Sequence, residues 1–262
     1  MKQLIGHADL LFITLDTLRY DAAQQAWQDG MLPTLSPYLG PSGWEKRHTP
    51  GSFTYAAHQA FFAGFLPTPL GAGPHPRLFA AQFAGSESSV EETFVFPEAT
   101  LPEALAARGY RTICIGGTGF FNQQNALARV LPGFFEEAHW SPELGVTCRE
   151  SAQNQVAQAI RSIDAAGDRR LFLFLNISAI HQPNWFYSAA QGPDTLVTHT
   201  AALVAVDRAL KPLLDRLAER APTLAIVCSD HGTAYGEEGY SGHRLGHEVV
   251  WSVPYAEFML GQ

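Results

Sequence analysis

Residues 224–258 read LAIVCSDHGTAYGEEGYSGHRLGHEVVWSVPYAEF, and the start of this stretch decides the class of fold. Its apolar run is typical of a strand buried inside a parallel sheet, and it ends at Asp230, His231 and Gly232. Ligands of open parallel sheets bind beyond the carboxyl ends of the strands, so we expect a carboxylate and an imidazole at that edge. This pair suits a divalent transition ion such as zinc or manganese better than calcium.

Two further histidines follow this turn. His243 and His247 are four residues apart and would share one face if a helix begins there. Either imidazole could ligate an ion, protonate a leaving group or orient another ligand. The spacing alone leaves these roles open.

Apolar runs alternate with amphipathic segments along the chain, which is the pattern of a layered α/β fold. The predicted strands are Leu10–Leu15, Thr93–Phe96, Thr112–Ile115, Leu171–Ile177 and Leu224–Cys228, with Tyr255–Leu260 as a last strand. The predicted helices are Asp21–Gly30, Leu101–Arg108, Ser151–Ala166 and Thr198–Ala221. We therefore predict an α/β fold in which helices sandwich a mostly parallel central sheet, as one domain over residues 1–262.

Polar residues follow several of these strands. Asp16 comes directly after the first predicted strand, and the fourth runs out to His181. With Asp230 and His231, three strands deliver metal-ligating side chains toward one edge of the sheet. Each residue taken singly could equally cap a loop, but their convergence favours a functional site.

The stretch SFTYAAHQAFFAGFLP, residues 52–67, allows two interpretations. Its apolar residues recur at helical spacing, so it predicts a core helix, Tyr55–Phe65, capped by Ser52 or Thr54. The alternative is that Thr54 is a nucleophile at the start of that helix. The stretch by itself does not decide between them.

Five landmarks, in this order, resemble the alkaline phosphatase superfamily, and its sulfatase-like branch most of all. They are ITLDTLRYD at 13–21, AGFLP at 63–67, His181-Gln182-Pro183, the pair Ser229–Gly232 and Gly242-His243, and Val253-Pro254. The resemblance spans nearly the whole chain. It implies the three-layer α/β/α architecture of alkaline phosphatase.

The resemblance also assigns the nucleophile. Ten residues before Gly64, where the sulfatase motif has its cysteine or serine, this chain has Thr54, and His58 stands where sulfatases carry arginine. The proline of that motif is missing too, so the resemblance implies that no formylglycine forms. A threonine nucleophile implies phosphoryl rather than sulfuryl chemistry, through a phospho-threonine that water or an acceptor alcohol resolves.

The resemblance further implies a divalent metal ion, with zinc or manganese favoured and calcium or magnesium as alternatives. Its implied ligands are Asp16, Thr54, Asp230 and His231. We favour one ion, since a second site, or a substrate site, built from His181, His243 and His247 would lack a carboxylate. In addition to Thr54, the implied catalytic residues are His58, His181 and His243, which would hold non-bridging oxygens or protonate the leaving group.

Two residues near these motifs are candidates for substrate binding. Arg19 could pair with an anionic substrate, although an ion pair with Asp21 is the simpler interpretation. Tyr55 could line the pocket or simply pack. Other polar residues fit structural roles: His48 in a loop, His75, His139 and His199 at the surface or in packing, Asp207 on a helix that packs on the sheet, and Glu237-Glu238 at a solvated loop tip.

The composition limits the partners. The net charge is −8 and lysine and arginine form no cluster, which disfavours nucleic acid and anionic membranes. No apolar stretch approaches the roughly 18 residues of a membrane span. The N-terminal apolar run carries Asp9 and lacks a small-residue cleavage site, and three widely spaced cysteines suit a reducing compartment. These features predict a cytoplasmic location.

The sequence therefore predicts a metal-dependent hydrolase or transferase that acts on a small anionic phosphoester or phosphodiester. The resemblance is to longer sulfatases with a C-terminal subdomain, so we expect an open pocket, or one completed by a second copy of the chain or by a partner protein. The alternative is a relative without catalytic activity that binds an anion or a partner. The histidine at position 58 favours that alternative, and the near-complete metal set opposes it.

Overall fold

The computed structural model describes residues 3–64, 77–79, 93–95, 98–189 and 192–261. Its strands are β1 (Asp9–Leu15), β2 (Glu45–His48), β3 (Arg77–Phe79), β4 (Thr93–Val95), β5 (Arg111–Ile115), β6 (Glu137–His139), β7 (Leu171–Ile177), β8 (Thr223–Cys228), β9 (Ala234–Tyr235), β10 (Ser241–Gly242) and β11 (Ser252–Leu260). Its α-helices are α1 (Tyr20–Gln28), α2 (Thr54–Ala63), α3 (Leu101–Ala106), α4 (Ser151–Asp164), α5 (Leu196–Arg220) and α6 (Glu248–Trp251). Short 3₁₀ turns cover Ser36–Tyr38, Gly119–Phe121, Leu127–Arg129, Pro132–Phe134, Pro142–Leu144, Trp185–Tyr187 and Glu237–Gly239.

Within these described ranges, seven strands form one sheet in the order β2-β11-β8-β1-β7-β5-β6. Strands β8, β1, β7, β5 and β6 run parallel, whereas β11 pairs antiparallel with both β8 and β2. The predicted mostly parallel α/β fold is confirmed. The prediction for Thr93–Phe96 is corrected, because β4 pairs with β3 in a separate two-stranded sheet.

The central strands bury both faces. In β1, Leu11, Ile13 and Leu15 point into a core formed with residues of α1, α4 and α5. Leu10 and Phe12 alternate with them and face the opposite core, which includes residues of α2 and α3. The sheet is therefore the middle of three layers, as the two-residue repeat of a strand requires.

The helices lie where the periodicity predicts them, with ends shifted by a few residues. Helix α2 begins at Thr54 and ends before Gly64, whose φ of 72° is the left-handed conformation that stops a helix. Neither predicted cap acts as one, because Phe53 is the N-cap residue and makes no side-chain cap bond. The predicted end at Phe65, the rest of the AGFLP landmark and His75 lie outside the described residues.

Edge strand β2 was missed. Its four residues are all exposed, so the sequence EKRH shows no apolar alternation. It forms because β11 offers a free edge, with Ser252 opposite His48, and His48 stacks on Trp251. The prediction of a loop at His48 is therefore wrong. Among the helices of the described residues, none combines the length and apolar character needed to cross a membrane.

Candidate active site

The candidate site lies at the carboxyl ends of β8, β1 and β7. Asp16 follows β1 directly, and Asp230 and His231 come shortly after β8. Because β1 is hydrogen-bonded to β8, the three side chains meet, and one ligand atom from each lies within 4.8 Å of the others. All three residues are fully buried.

In each of the two carboxylates, one oxygen accepts hydrogen bonds and the other accepts none from the described residues. Asp16 Oδ2 accepts a hydrogen bond from Asn176 Nδ2 at 3.0 Å, and Asp230 Oδ1 accepts from the backbone N–H groups of Thr17 and His231 at 3.2 and 3.0 Å. Asp16 Oδ1 and Asp230 Oδ2 have no hydrogen-bond partner among the described residues. A buried carboxylate oxygen without a partner is costly, so the pair is suited to a cation.

The charges of this cluster depend on one another. Burial raises the pKa of Asp230, and the neighbouring Asp16 carboxylate raises it further. Burial also acts to raise the pKa of Asp16, but attraction from His181 and His231 outweighs it and leaves that pKa lowered. A divalent cation would relieve the repulsion between the two carboxylates.

The tautomer of His231 suits a metal ligand. Its Nδ1 lies 2.9 Å from the Gly232 carbonyl, which can only accept, so Nδ1 carries the proton. Its Nε2 therefore presents a lone pair, 3.5 Å from Asp230 Oδ2. Burial lowers the pKa of His231, which keeps the ring neutral as ligation requires. The residues present thus fit a divalent cation bound by oxygen and nitrogen.

Backbone constraints fix this turn. A side chain at Gly232 would collide with the carbonyl of Val249, because the Gly232 N–H donates to Val250 at 2.7 Å. Thr17 adopts a φ of 64°, which is unusual for a β-branched residue and aims its N–H at Asp230. Strain of this kind is typical of functional sites.

Thr54 stands next to this cluster as the first residue of α2. Its hydroxyl lies 3.4 Å from Asp16 Oδ2 and 3.4 Å from His231 Nε2. The first-turn N–H groups of a helix lack intrahelical partners and favour a bound anion. The structure thus places a hydroxyl, a candidate cation site and an anion-binding helix end together.

A cleft of about 370 Å³ opens onto Thr54. His181 and His243 line it, together with the segment that includes Thr118 and Asn125. The His243 ring lies 4.6 Å from that of His231 and 5.6 Å from that of His181, between centroids. Burial, with the nearby His231 and His181, lowers the pKa of His243 to about 4.

His58 does not face this cleft. Its ring is fully buried among Phe61, Phe62, Phe121 and Phe174. Nδ1 donates to the Thr54 carbonyl at 2.7 Å, Nε2 accepts from Thr14 Oγ1 at 2.9 Å, and burial lowers the pKa to about 4. The predicted contact with substrate is corrected: His58 supports the first turn of α2 from below.

His247 also lies elsewhere. The segment from His243 to His247 is not helical, and α6 begins at Glu248. His247 is the N-cap of that short helix, accepting from Val249 N at 3.2 Å, and its Nε2 lies 3.9 Å from Glu238. The predicted shared face of the two histidines is therefore wrong.

The side chains of Arg19 and Tyr55, the two candidates for substrate binding, contact other residues of the protein. The Arg19 guanidinium pairs with Asp21 and also with Glu237, and its side chain is 4% exposed. The expected ion pair with Asp21 is confirmed. The expectation of a solvated loop tip at Glu237-Glu238 holds for Glu238, whose side chain is 77% exposed, and is wrong for Glu237, which pairs with Arg19. Tyr55 is buried against Phe120, and burial raises its pKa to about 12.

Asn176 is a site residue that the sequence motifs did not select. It lies on β7 opposite Thr14, so its amide reaches Asp16, and its Oδ1 accepts from Thr118 N and Oγ1, both at 3.0 Å. The signal was present: a polar residue inside the apolar run of residues 171–177. Its role depends on β7 being the neighbour of β1.

The family of the chain follows from a comparison with protein-family models. The model described as Sulfatase matches residues 8–255. The chain belongs to the sulfatase family. This confirms the resemblance to the alkaline phosphatase superfamily. No curated protein matches the chain by sequence.

Solved structures with the sulfatase-family fold superpose on this chain. The soluble domain of lipooligosaccharide phosphoethanolamine transferase A from Neisseria meningitidis has a TM-score of 0.67 at 14% identity, covering 97% of this chain and 77% of that one. The C-terminal periplasmic domain of phosphoethanolamine transferase EptC from Campylobacter jejuni has a TM-score of 0.65 at 12% identity, covering 97% and 79%. The same domain of EptC from Escherichia coli, in complex with zinc, has a TM-score of 0.64 at 10% identity, covering 97% and 73%. Identities this low establish the fold alone.

These comparisons correct the predicted location and support the predicted general class of enzyme. Two of the three structures are periplasmic domains, which overturns the prediction of a cytoplasmic location. The cysteine argument failed because Cys114 and Cys228 are buried core residues, whose packing says nothing about the redox compartment. The superfamily comprises hydrolases and transferases of phosphate or sulfate esters, in line with the predicted class of enzyme.

Proposed function

We propose that this sulfatase-family chain transfers a phosphoryl group from a phosphoester or phosphodiester through Thr54. The observation that carries the proposal is the position of the Thr54 hydroxyl, 3.4 Å from both Asp16 and His231 at the floor of a cleft. A core helix alone has no need of a hydroxyl that lies against a buried carboxylate and the unprotonated Nε2 of a buried imidazole. Threonine stands here in place of the cysteine or serine of sulfatases, which supports phosphoryl over sulfuryl chemistry.

Asp16, Asp230 and His231 would hold one divalent cation through the carboxylate oxygens that lack partners and through the unprotonated Nε2. When bound, the cation would lower the pKa of the Thr54 hydroxyl and neutralise charge on the phosphoryl oxygens. The zinc complex of the E. coli EptC domain supports zinc as the first ion to test. Manganese, calcium and magnesium remain the comparison ions.

The chain's own residues account for the remaining steps. The Thr54 oxygen attacks phosphorus and gives its proton to His181 Nε2, the bond from phosphorus to the substrate alcohol oxygen breaks, and Nε2 returns that proton to the alcohol oxygen as it leaves. The first-turn N–H groups of α2 would bind non-bridging oxygens. His181 donates its Nδ1 proton to the Gln182 carbonyl at 2.5 Å, so Nε2 is the atom that exchanges a proton at the leaving oxygen.

The phospho-threonine is resolved by water in a hydrolase or by an acceptor alcohol in a transferase, and either route regenerates the Thr54 hydroxyl. Two of the similar structures are phosphoethanolamine transferases, which supports the transferase route and a phosphodiester substrate. The two EptC domains are periplasmic, which supports a location outside the cytoplasm.

The test compares Thr54→Ala and Thr54→Ser with Thr200→Ala, a control on the exposed side of α5 whose hydroxyl donates to Leu196 O at 2.9 Å. Each protein is loaded with zinc or manganese and assayed on aryl phosphate, phosphodiester, phosphonate and sulfate esters. We expect Thr54→Ala to lose at least about a thousandfold in kcat, Thr54→Ser to retain measurable turnover and Thr200→Ala to match the wild type.

Three outcomes would contradict the proposal. Full activity of Thr54→Ala would exclude Thr54 as the nucleophile. Turnover of sulfate esters alone would exclude phosphoryl chemistry. No turnover of any ester by the metal-loaded wild type would favour a relative that binds an anion or a partner without catalysis. Intact-mass detection of a phosphorylated wild type, absent in Thr54→Ala, would support the intermediate directly.

A further inference from the structure

The two histidines that line the cleft lie on segments that a single hairpin ties together. Strands β9 and β10 pair antiparallel, with Tyr235 opposite Ser241 and Ala234 opposite Gly242. His243 directly follows this hairpin. The position of its ring over the cleft therefore depends on what holds the hairpin in place.

The first tie joins the hairpin to the segment that carries Asp16. Arg19 Nη1 pairs with Glu237 at the hairpin tip, while its Nε donates to Asp21 at 2.9 Å. Glu237 also accepts the Tyr235 N–H at 2.6 Å. The Arg19 side chain is 4% exposed and that of Glu237 is 30% exposed, so this ion pair is partly shielded from solvent.

The second tie joins the hairpin to the segment that carries His181. The Tyr235 hydroxyl accepts from Asn184 Nδ2 at 2.9 Å, and the same amide donates to the Ile180 carbonyl at 2.9 Å. Asn184 Oδ1 accepts from Thr198 Oγ1 at 2.5 Å. Asn184 is fully buried, so it has no water to replace these partners.

His199 closes the network, and its tautomer is fixed by its partners. The Arg19 backbone N–H donates to His199 Nε2 at 3.3 Å, so the ring proton resides on Nδ1. Nδ1 then donates to the Tyr235 hydroxyl at 3.0 Å. Burial, with the charge of Arg19, lowers the pKa of His199 to about 3, which keeps one neutral tautomer.

A third tie reaches the segment that carries Thr54. The Arg244 N–H, next to His243, donates to the Ser52 carbonyl at 2.8 Å. The hairpin thus contacts the segments of Asp16, Thr54 and His181 at once. None of the residues in the network that links them lines the cleft, so their effect on chemistry would act through His181 and His243.

We propose that Tyr235, hydrogen-bonded to His199 and Asn184, is a positioning residue that sets His243 and His181 over Thr54. The proposal rests on the proposed function for the catalytic part of its test only. It assigns a role to His199, a buried histidine with no motif around it. It also explains why a tyrosine hydroxyl lies between two buried polar side chains and accepts a hydrogen bond from each, where phenylalanine would supply no acceptor.

The test compares Tyr235→Phe with Tyr240→Phe, a matched change on the same hairpin at a tyrosine that is 54% exposed. Activity is normalised to the folded fraction measured by thermal unfolding. We expect Tyr235→Phe to lower kcat by about 10- to 100-fold, the effect of a small misplacement of reacting groups, with KM changed by less than about threefold. Tyr240→Phe should match the wild type.

Nuclear magnetic resonance of the histidine rings supplies a readout that needs no turnover. The Cε1–H signals of His181 and His243 should shift or broaden in Tyr235→Phe and stay in place in Tyr240→Phe. A rescue pair completes the test: His199→Gln, whose amide can accept from Arg19 and donate to Tyr235, should retain more activity than His199→Leu.

The outcomes separate the two proposals. If the wild type turns over no ester, the proposed function fails, and the histidine signals alone decide the positioning role. If the wild type is active but Tyr235→Phe matches Tyr240→Phe in kcat and in its histidine signals, the positioning role is refuted. Equal losses in His199→Gln and His199→Leu would show that the network acts only through packing.

Discussion

Replacing Asn176 by leucine tests whether the candidate cation site depends on a residue that touches no ion. Leucine has nearly the same shape, but it removes the hydrogen bond that Asn176 Nδ2 donates to Asp16 Oδ2 at 3.0 Å. It also removes the acceptor of the Thr118 N–H. All three residues are buried, so water does not replace the lost partners.

The magnitude follows from these contacts. A hydrogen bond to an ionised group contributes about 1.5 to 3 kcal/mol, which corresponds to about 10- to 100-fold in a dissociation constant. That range agrees with the 10- to 100-fold effect of residues that orient metal ligands. We therefore expect Asn176→Leu to bind zinc about 10- to 100-fold more weakly, and the buried Thr118 N–H to cost about 1 to 3 kcal/mol of stability.

The assay is calorimetric titration of zinc into metal-free protein, with the zinc-induced rise in melting temperature as a second measurement. Asp9→Asn is the matched control at the other end of β1, where Asp9 accepts from Leu171 N at 3.0 Å and Arg220 Nε at 2.9 Å. It should lower stability and leave zinc affinity unchanged. The reasoning is refuted if Asn176→Leu binds zinc as tightly as the wild type, or if Asp9→Asn weakens binding equally.

Three predictions concern stability. Burial acts to raise the pKa of Glu137, but hydrogen bonds, first that to His139, hold it at about 2. Since this pKa is depressed, the Glu137 carboxylate should stabilise the fold above pH 4.5. Its contribution, about 1 to 2 kcal/mol after solvent screening, should disappear as the pH falls toward 2. The free energy of unfolding of Glu137→Gln, measured by denaturation over the same pH range, should not show this decrease. Tyr110→Phe removes two hydrogen bonds to the backbone near the N-terminus and should cost about 1 to 2 kcal/mol in urea unfolding. Asp207→Ala leaves the backbone N–H groups at 34–35 without their acceptor and should cost about 2 to 4 kcal/mol, with the denaturant slope unchanged.

Each of these stability predictions has an outcome that contradicts it. Glu137→Gln following the wild-type stability at every pH would show that the carboxylate contributes nothing. A loss below about 0.5 kcal/mol in Tyr110→Phe would mean that water replaces the hydroxyl. The same small loss in Asp207→Ala would mean that the segment at 34–35 is not anchored by Asp207.

Much of the fold could be predicted because its signals are local. The nearly continuous apolar run from Leu10 to Leu15 reports burial on both faces of β1, and the polar residues just after β1 and β8 report the edge where ligands bind. Asp16, Asp230 and His231 met in space as the sequence predicted, because parallel strands bring their carboxyl ends together.

The residues that were misplaced depend on contacts between distant segments. The spacing of His243 and His247 fits a helix, but the segment follows strand β10 directly and is bonded to Ser52 through the Arg244 N–H, so no helix forms there. Glu237 looked solvated because its partner, Arg19, is more than two hundred residues away in the chain.

The sequence by itself determined the layered α/β fold, the cluster of candidate metal ligands at one edge and the candidate nucleophile Thr54. The tertiary structure decided which histidines face the cleft and which lie beneath it. His58 is one turn along α2 from Thr54, yet the helix turns its ring toward the aromatic core, where Thr14 and the Thr54 carbonyl hold it. Sequence spacing sets how far apart two residues are along an element, whereas the packing of that element on the sheet sets which of them meets solvent.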